Sequence, residues 1–133
     1  MIYEVEGTIP KVLDIKDLDD VFNFSCEYLN LEDEIEIVLV FNTKIRDRVD
    51  GTIDEIDENT FEIEVNPYLQ RKDLLDTIMH EMIHIRQIID GDLLIQSPPM
   101  WKGKKYVCDY HELPWEEEAF RIERAMAESF CVR

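Results

Sequence analysis

The chain has 133 residues, 45% of them apolar, the size of one domain (1–133) with a single modest core. Its 31 acidic and 14 basic residues leave a net charge of -17, which repels phosphate backbones and excludes a nucleic-acid partner. No run approaches the roughly 18 apolar residues of a membrane span. The first ten residues hold two glutamates and no signal-peptide apolar stretch, and the three cysteines are an odd set of free thiols, so the expected location is cytoplasmic.

Residues 2–6 read as a short strand. From Asp17 to Asn30, Leu18, Val21, Phe22, Tyr28 and Leu29 predict a helix packed on a sheet. Glu34–Phe41 (EIEIVLVF) begins by alternating and ends apolar, which predicts a strand that becomes buried on both faces. Arg48–Ile56 and Phe61–Val65 both alternate and are expected to pair across Asp57-Glu58-Asn59. Val49, Ile53, Phe61, Ile63 and Val65 would then supply one face. A helix is predicted from about Arg71 to Asp90, with Gly91 as its natural stop. Residues 92–113 form a long connection, in which Lys102-Gly103-Lys104 suits the turn of a small hairpin. Pro114 opens a last helix that runs to about Phe130.

The long helix carries His80-Glu81-Met82-Ile83-His84. Four-residue spacing puts both imidazoles on one helix face, one turn apart, where they can hold a single Zn²⁺. Glu81 beside them is then placed to work on a water that the ion activates. The surrounding Leu74, Leu75, Ile78, Met79, Met82, Ile83, Ile85, Ile88 and Ile89 make this a core helix. Burying two imidazoles and a carboxylate there costs several kcal/mol unless they are paired or bound to a cation.

A catalytic zinc needs a third protein ligand and an open position. The run Glu116-Glu117-Glu118 at the start of the last helix is one source, and His111 is the other. Glu117 shares a face with Arg121, Arg124 and Glu128 and points to solvent, as an acidic first turn favoured by the helix dipole would. Glu118 shares a face with Ile122, Ala125 and Met126 and is the expected third ligand. Glu116, beside Ala119, Phe120 and Ala127, is partly inward and is expected to orient a ligand or face the substrate. Both Glu116 and His111 remain open as ligands.

These residues resemble a zincin metallopeptidase. HEMIH at 80–84 matches the HExxH motif, and Glu118-Ala119 on a following helix is similar to the glutamate-ligand step of the gluzincin branch. The small size resembles the minigluzincins, and the likeness spans roughly residues 60–125. It implies an α+β fold: a small mixed sheet packed on the HExxH helix, with a C-terminal helix carrying the glutamate. It also implies peptide-bond hydrolysis by a metal-activated water, with Glu81 as general base. The strand before the active-site helix, Thr60–Val65, would form the rim along which a peptide lies antiparallel. The sequence departs from the pattern at the position four after Glu118, where Ile122 stands in place of an aspartate that orients a histidine. Glu116 or Asp109 is the expected substitute. His84 is not followed by the glycine and third histidine of metzincins, which excludes that branch.

An oxyanion donor is expected from Tyr106, Tyr110 or His111, and Tyr110 is the one chosen. Thr77, one turn before His80, is a candidate support. Cys108 and His111 have zinc-site spacing but no second pair, and Lys102, Lys104 and Lys105 read as a solvated hairpin tip. The expected partner is a protein or peptide substrate presented in a flexible segment. The alternative is a non-catalytic, zinc-stabilised acidic module that binds protein. An acidic binder of a basic partner is a third reading, and it leaves the paired histidines unexplained.

Overall fold

The computed structural model describes residues 1–45, 49–107 and 113–131. It has the predicted α+β order: β1 (Ile2–Glu6), α1 (Ile15–Tyr28), β2 (Glu36–Phe41), β3 (Gly51–Asp57), β4 (Thr60–Val65), α2 (Arg71–Ile89), β5 (Leu93–Leu94), β6 (Met100–Trp101), β7 (Lys104–Lys105) and α3 (Pro114–Cys131). The main sheet has the order β1-β2-β4-β3. β1, β2 and β4 run parallel and β3 returns antiparallel along β4.

α1 starts two residues earlier than the apolar pattern indicates, because a capping box fixes it. The Asp14 side chain accepts from the Asp17 N–H at 2.8 Å, and the Asp17 carboxylate accepts from the Asp14 N–H at 3.1 Å. α1 then carries the chain from β1 to its parallel neighbour β2, burying Leu18, Val21 and Phe22.

The core lies on one face of the sheet. Ile37 pairs with Phe61, Leu39 with Ile63 and Phe41 with Val65 across β2 and β4, and all six are buried. α2 packs against β3 and β4, and Leu74, Ile78, Met82 and Ile85, which share one of its faces, are all buried. β2 is therefore not buried on both faces as its apolar run suggested. Val38 sits in register between Glu4 and Glu62, and Val40 between Glu6 and Glu64, and both valines are only half-buried. This second face gathers much of the acidic charge. Burial, then Glu64, Glu6 and Asp54, push the Glu62 carboxyl above its usual range.

The expected rim strand is also corrected. Thr60–Val65 is an inner strand, hydrogen-bonded on both sides, and the edge belongs to β3. The β3–β4 hairpin turns at Asn59, whose φ of 61° is one that asparagine tolerates better than most side chains. β3 is mostly exposed along its length, with Ile53 half-buried opposite Ile63.

The 92–113 connection does contain the hairpin. Lys102 and Gly103 both have positive φ, 49° and 83°, as a two-residue turn of this hand requires. β5 adds a third strand that the sequence did not announce. Trp101 and Tyr106 from this small sheet pack on Trp115, with ring centroids 6.3 and 5.4 Å away, and so tie it to the first turn of α3.

Gly51 begins β3 where the edge strand passes over α2. A Cβ at this position would lie 2.6 Å from the Thr77 methyl and 3.1 Å from the Glu64 carbonyl oxygen. Gly51→Ala is expected to lower stability by about 1–3 kcal/mol in urea unfolding. Adding Thr77→Ser, which removes that methyl, should restore part of the loss.

Candidate metal site

α2 and α3 meet across a polar stripe set into an apolar helix. His84, Glu81 and Gln87 are 2%, 4% and 2% exposed. His80 is mostly covered as well, with Phe120 tilted against its ring at 4.6 Å. The ligand atoms of His80, Glu81 and His84 lie within 4.8 Å of one another, the one such group among the described residues.

A second carboxylate, Glu116, joins this cluster. Its Oε1 lies 2.8 Å from His80 Nε2 and 3.1 Å from His84 Nε2. Glu118, expected in this role, instead accepts from Gln87 Nε2 at 3.0 Å. The buried stripe of α3 is Trp115, Ala119 and Met126. At about 100° per residue, Glu116 and Glu118 flank that stripe by roughly 80° on opposite sides. Amphipathic phase alone therefore favours neither, and the way α3 crosses α2 decides. Glu117 is exposed, as expected.

The far nitrogens of both rings are held. His80 Nδ1 is 2.8 Å from Glu123 Oε1, and His84 Nδ1 is 2.7 Å from Gln87 Oε1. The Gln87 amide donates to the Trp115 carbonyl at 3.0 Å and to Glu118, which fixes its oxygen toward His84. His84 Nδ1 faces the Gln87 oxygen and so carries hydrogen, whereas both nitrogens of His80 face carboxylates. When the hydrogen of neutral His80 sits on Nδ1, toward Glu123, both Nε2 atoms present lone pairs to the same carboxylate oxygen. Three acceptors cannot converge without positive charge between them.

Either protons or a cation can supply it. Without a cation, burial opposes charge on His80, but hydrogen bonds to Glu116 and Glu123 outweigh it and raise its pKa to about 9. His84 is raised too, against its burial, chiefly by Glu116. Burial works against ionised Glu116 as well, yet His80 and His84 hold its carboxyl down at about 2. Glu81 stays frustrated. Burial pushes it up to about 7 despite the two imidazoles, and its buried Oε2 has no hydrogen-bond partner. Two imidazoles, a shared carboxylate and an orphaned carboxylate oxygen are a donor set that fits one divalent ion.

Glu123 answers the departure noted in the sequence. It orients His80 from seven residues after Glu116, two turns along the same flank of α3, instead of four after Glu118. A second acid at that i, i+7 spacing was the available signal. Tyr106 is half-buried with its ring edge-on to Trp115, and Thr77 lines the cleft beside His80. Tyr110, His111, Asp109 and Cys108 lie outside the described residues. No helix among the described residues is long and apolar enough to cross a membrane.

Comparison with protein families, with curated proteins and with solved structures found no match for this chain.

Glu123→Ala should weaken divalent-metal binding about 10–100-fold, read by competition with a chromophoric chelator, because an orienting partner of His80 is lost. The metal-free protein should also show a signature in pH. His80 has a folded pKa raised from 6.5 to about 9, so its contribution to stability is complete below pH 6.5 and is lost as pH rises through 9. Urea midpoints of metal-free protein are expected to fall across that window.

Proposed function

We propose that this protein is a zinc-dependent peptidase in which His80, His84 and Glu116, in place of Glu118, hold the metal. One observation carries the reading: both imidazole Nε2 atoms converge on one Glu116 oxygen while an unpartnered Glu81 oxygen lies buried beside them. As a fourth ligand Glu81 would close a structural site; unligated, it is a base beside the open position that a catalytic site keeps. Zinc, when bound, would act as a Lewis acid that polarises a carbonyl and lowers the pKa of water.

The chain's own residues supply the rest. Glu81, buried beside both imidazoles, is suited to take a proton from the attacking water and pass it to the leaving amine. Glu123 and Gln87 keep the Nδ1 hydrogens in place and so keep both Nε2 atoms as ligands. Phe120 covers the His80 ring on its outer side. β3, with its outer edge unpaired in the main sheet, offers main-chain groups to an extended peptide. Tyr110 remains the proposed donor to the carbonyl oxygen.

The test compares wild type with three variants on a mixed peptide library, with zinc content measured in parallel. Glu81→Gln should keep about one zinc and lose cleavage by about 10²–10⁴-fold. Glu116→Gln should lose both zinc and cleavage, whereas Glu118→Gln should keep its zinc. Zinc bound by wild type with no cleavage of any peptide would replace the peptidase with the non-catalytic binding module.

A further inference from the structure

Two cavities meet at Glu81, the first bordered by six carboxylates and the second by two. The first, about 400 Å³, is bordered by Asp50, Asp73 and Asp76 as well as His80, Glu81 and Glu123. The second, about 350 Å³, is bordered by Ile53, Leu93, Ile95, Pro99 and Trp115, and it shares Gly51, Glu81 and Glu116 with the first. No lysine or arginine borders either cavity among the described residues. Asp76 is neutralised from outside by Lys72, 2.7 Å away, while Asp50 and Asp73 have no ion-pair partner among the described residues.

We propose that the cleft takes a peptide with a basic side chain on one side of the scissile bond and an apolar side chain on the other. The basic side chain would lie in the Asp50–Asp73 cavity and the apolar one against Ile53, Leu93 and Trp115. This rests on the peptidase reading for its scissile bond, but the selectivity it describes is one of binding.

Acidic residues on so acidic a chain are not by themselves a site. Here they line a cavity whose wall includes Glu81, a buried carboxylate with one unpartnered oxygen. The contrast between the two cavities is the further argument. An extended peptide advances about 3.3 Å per residue, so a chain laid along β3 from Asp50 past Ile53 crosses from the acidic wall to the apolar one within a few residues. A lysine or arginine beside Asp50 and Asp73 keeps its charge paired, and a large apolar side chain loses water against Trp115.

Binding to zinc-loaded Glu81→Gln tests this without cleavage. Fluorescence anisotropy compares four peptides of equal length: basic–apolar, apolar–basic, and both with the lysine replaced by glutamine. One basic peptide should bind roughly tenfold more tightly than its glutamine counterpart, with an advantage that shrinks as salt rises. Its order also reports the direction of the chain. Asp50→Asn with Asp73→Asn should bring the ratio toward one. Asp54→Asn with Glu55→Gln, which removes the same charge outside both cavities, should leave it. Equal binding of lysine and glutamine peptides overturns the proposal. So does an equal loss in both double variants, which would make the effect one of overall charge. Cleavage that is absent while the lysine preference persists would sink the peptidase reading and leave this one standing.

Discussion

Everything at the junction of α2 and α3 depends on a shortage of hydrogen. Both imidazoles have an acceptor on the Nδ1 side, Glu123 for His80 and the Gln87 oxygen for His84. Their remaining nitrogens both point at one oxygen of Glu116, which has nothing to donate. Neutral rings with both Nε2 lone pairs toward an ionised Glu116 leave acceptors opposed, and positive charge at the point of convergence relieves them. A divalent ion meets that need with one centre, and the same ion would relieve the buried Glu81 carboxylate beside it. The raised histidines and the depressed Glu116 are how the metal-free protein answers the same demand with protons.

The fold serves this junction with few parts. The core under α2 is apolar and continuous, so the helix is held at a fixed height over β4 while its polar stripe faces α3. Gln87 links the two helices directly, since its amide touches His84, the Trp115 carbonyl and Glu118 at once. Gly51 lets β3 pass close over Thr77 and Glu81, which brings a sheet edge to the site. The small β5-β6-β7 sheet, packed on Trp115, supplies the apolar wall on the other side.

Much of this was legible in the residues because it is governed by local period. The HExxH spacing, the apolar surround of α2, the Pro114 start of α3 and the Lys102-Gly103 turn are all set within a few residues. What escaped depends on how elements meet. Glu116 and Glu118 straddle the buried stripe symmetrically, so only the crossing of the two helices distinguishes them. β4 alternates like an edge strand, yet β3 folds back outside it and takes the edge. The apolar end of β2 reads as doubly buried, but helices cover one face only and acidic neighbours line the other. The Asp14–Asp17 capping box was visible in the sequence and sets a helix start that apolar periodicity places too late.

The central claim is a cation between His80, His84 and Glu116. Anomalous diffraction at the zinc absorption edge, from crystals grown with zinc, tests it most directly. One peak is expected about 2.0–2.2 Å from both Nε2 atoms and from a Glu116 oxygen, with Glu123 and Gln87 still on the Nδ1 sides. No peak there, with both imidazoles still hydrogen-bonded to Glu116, would contradict it, as would a peak ligated by Glu118.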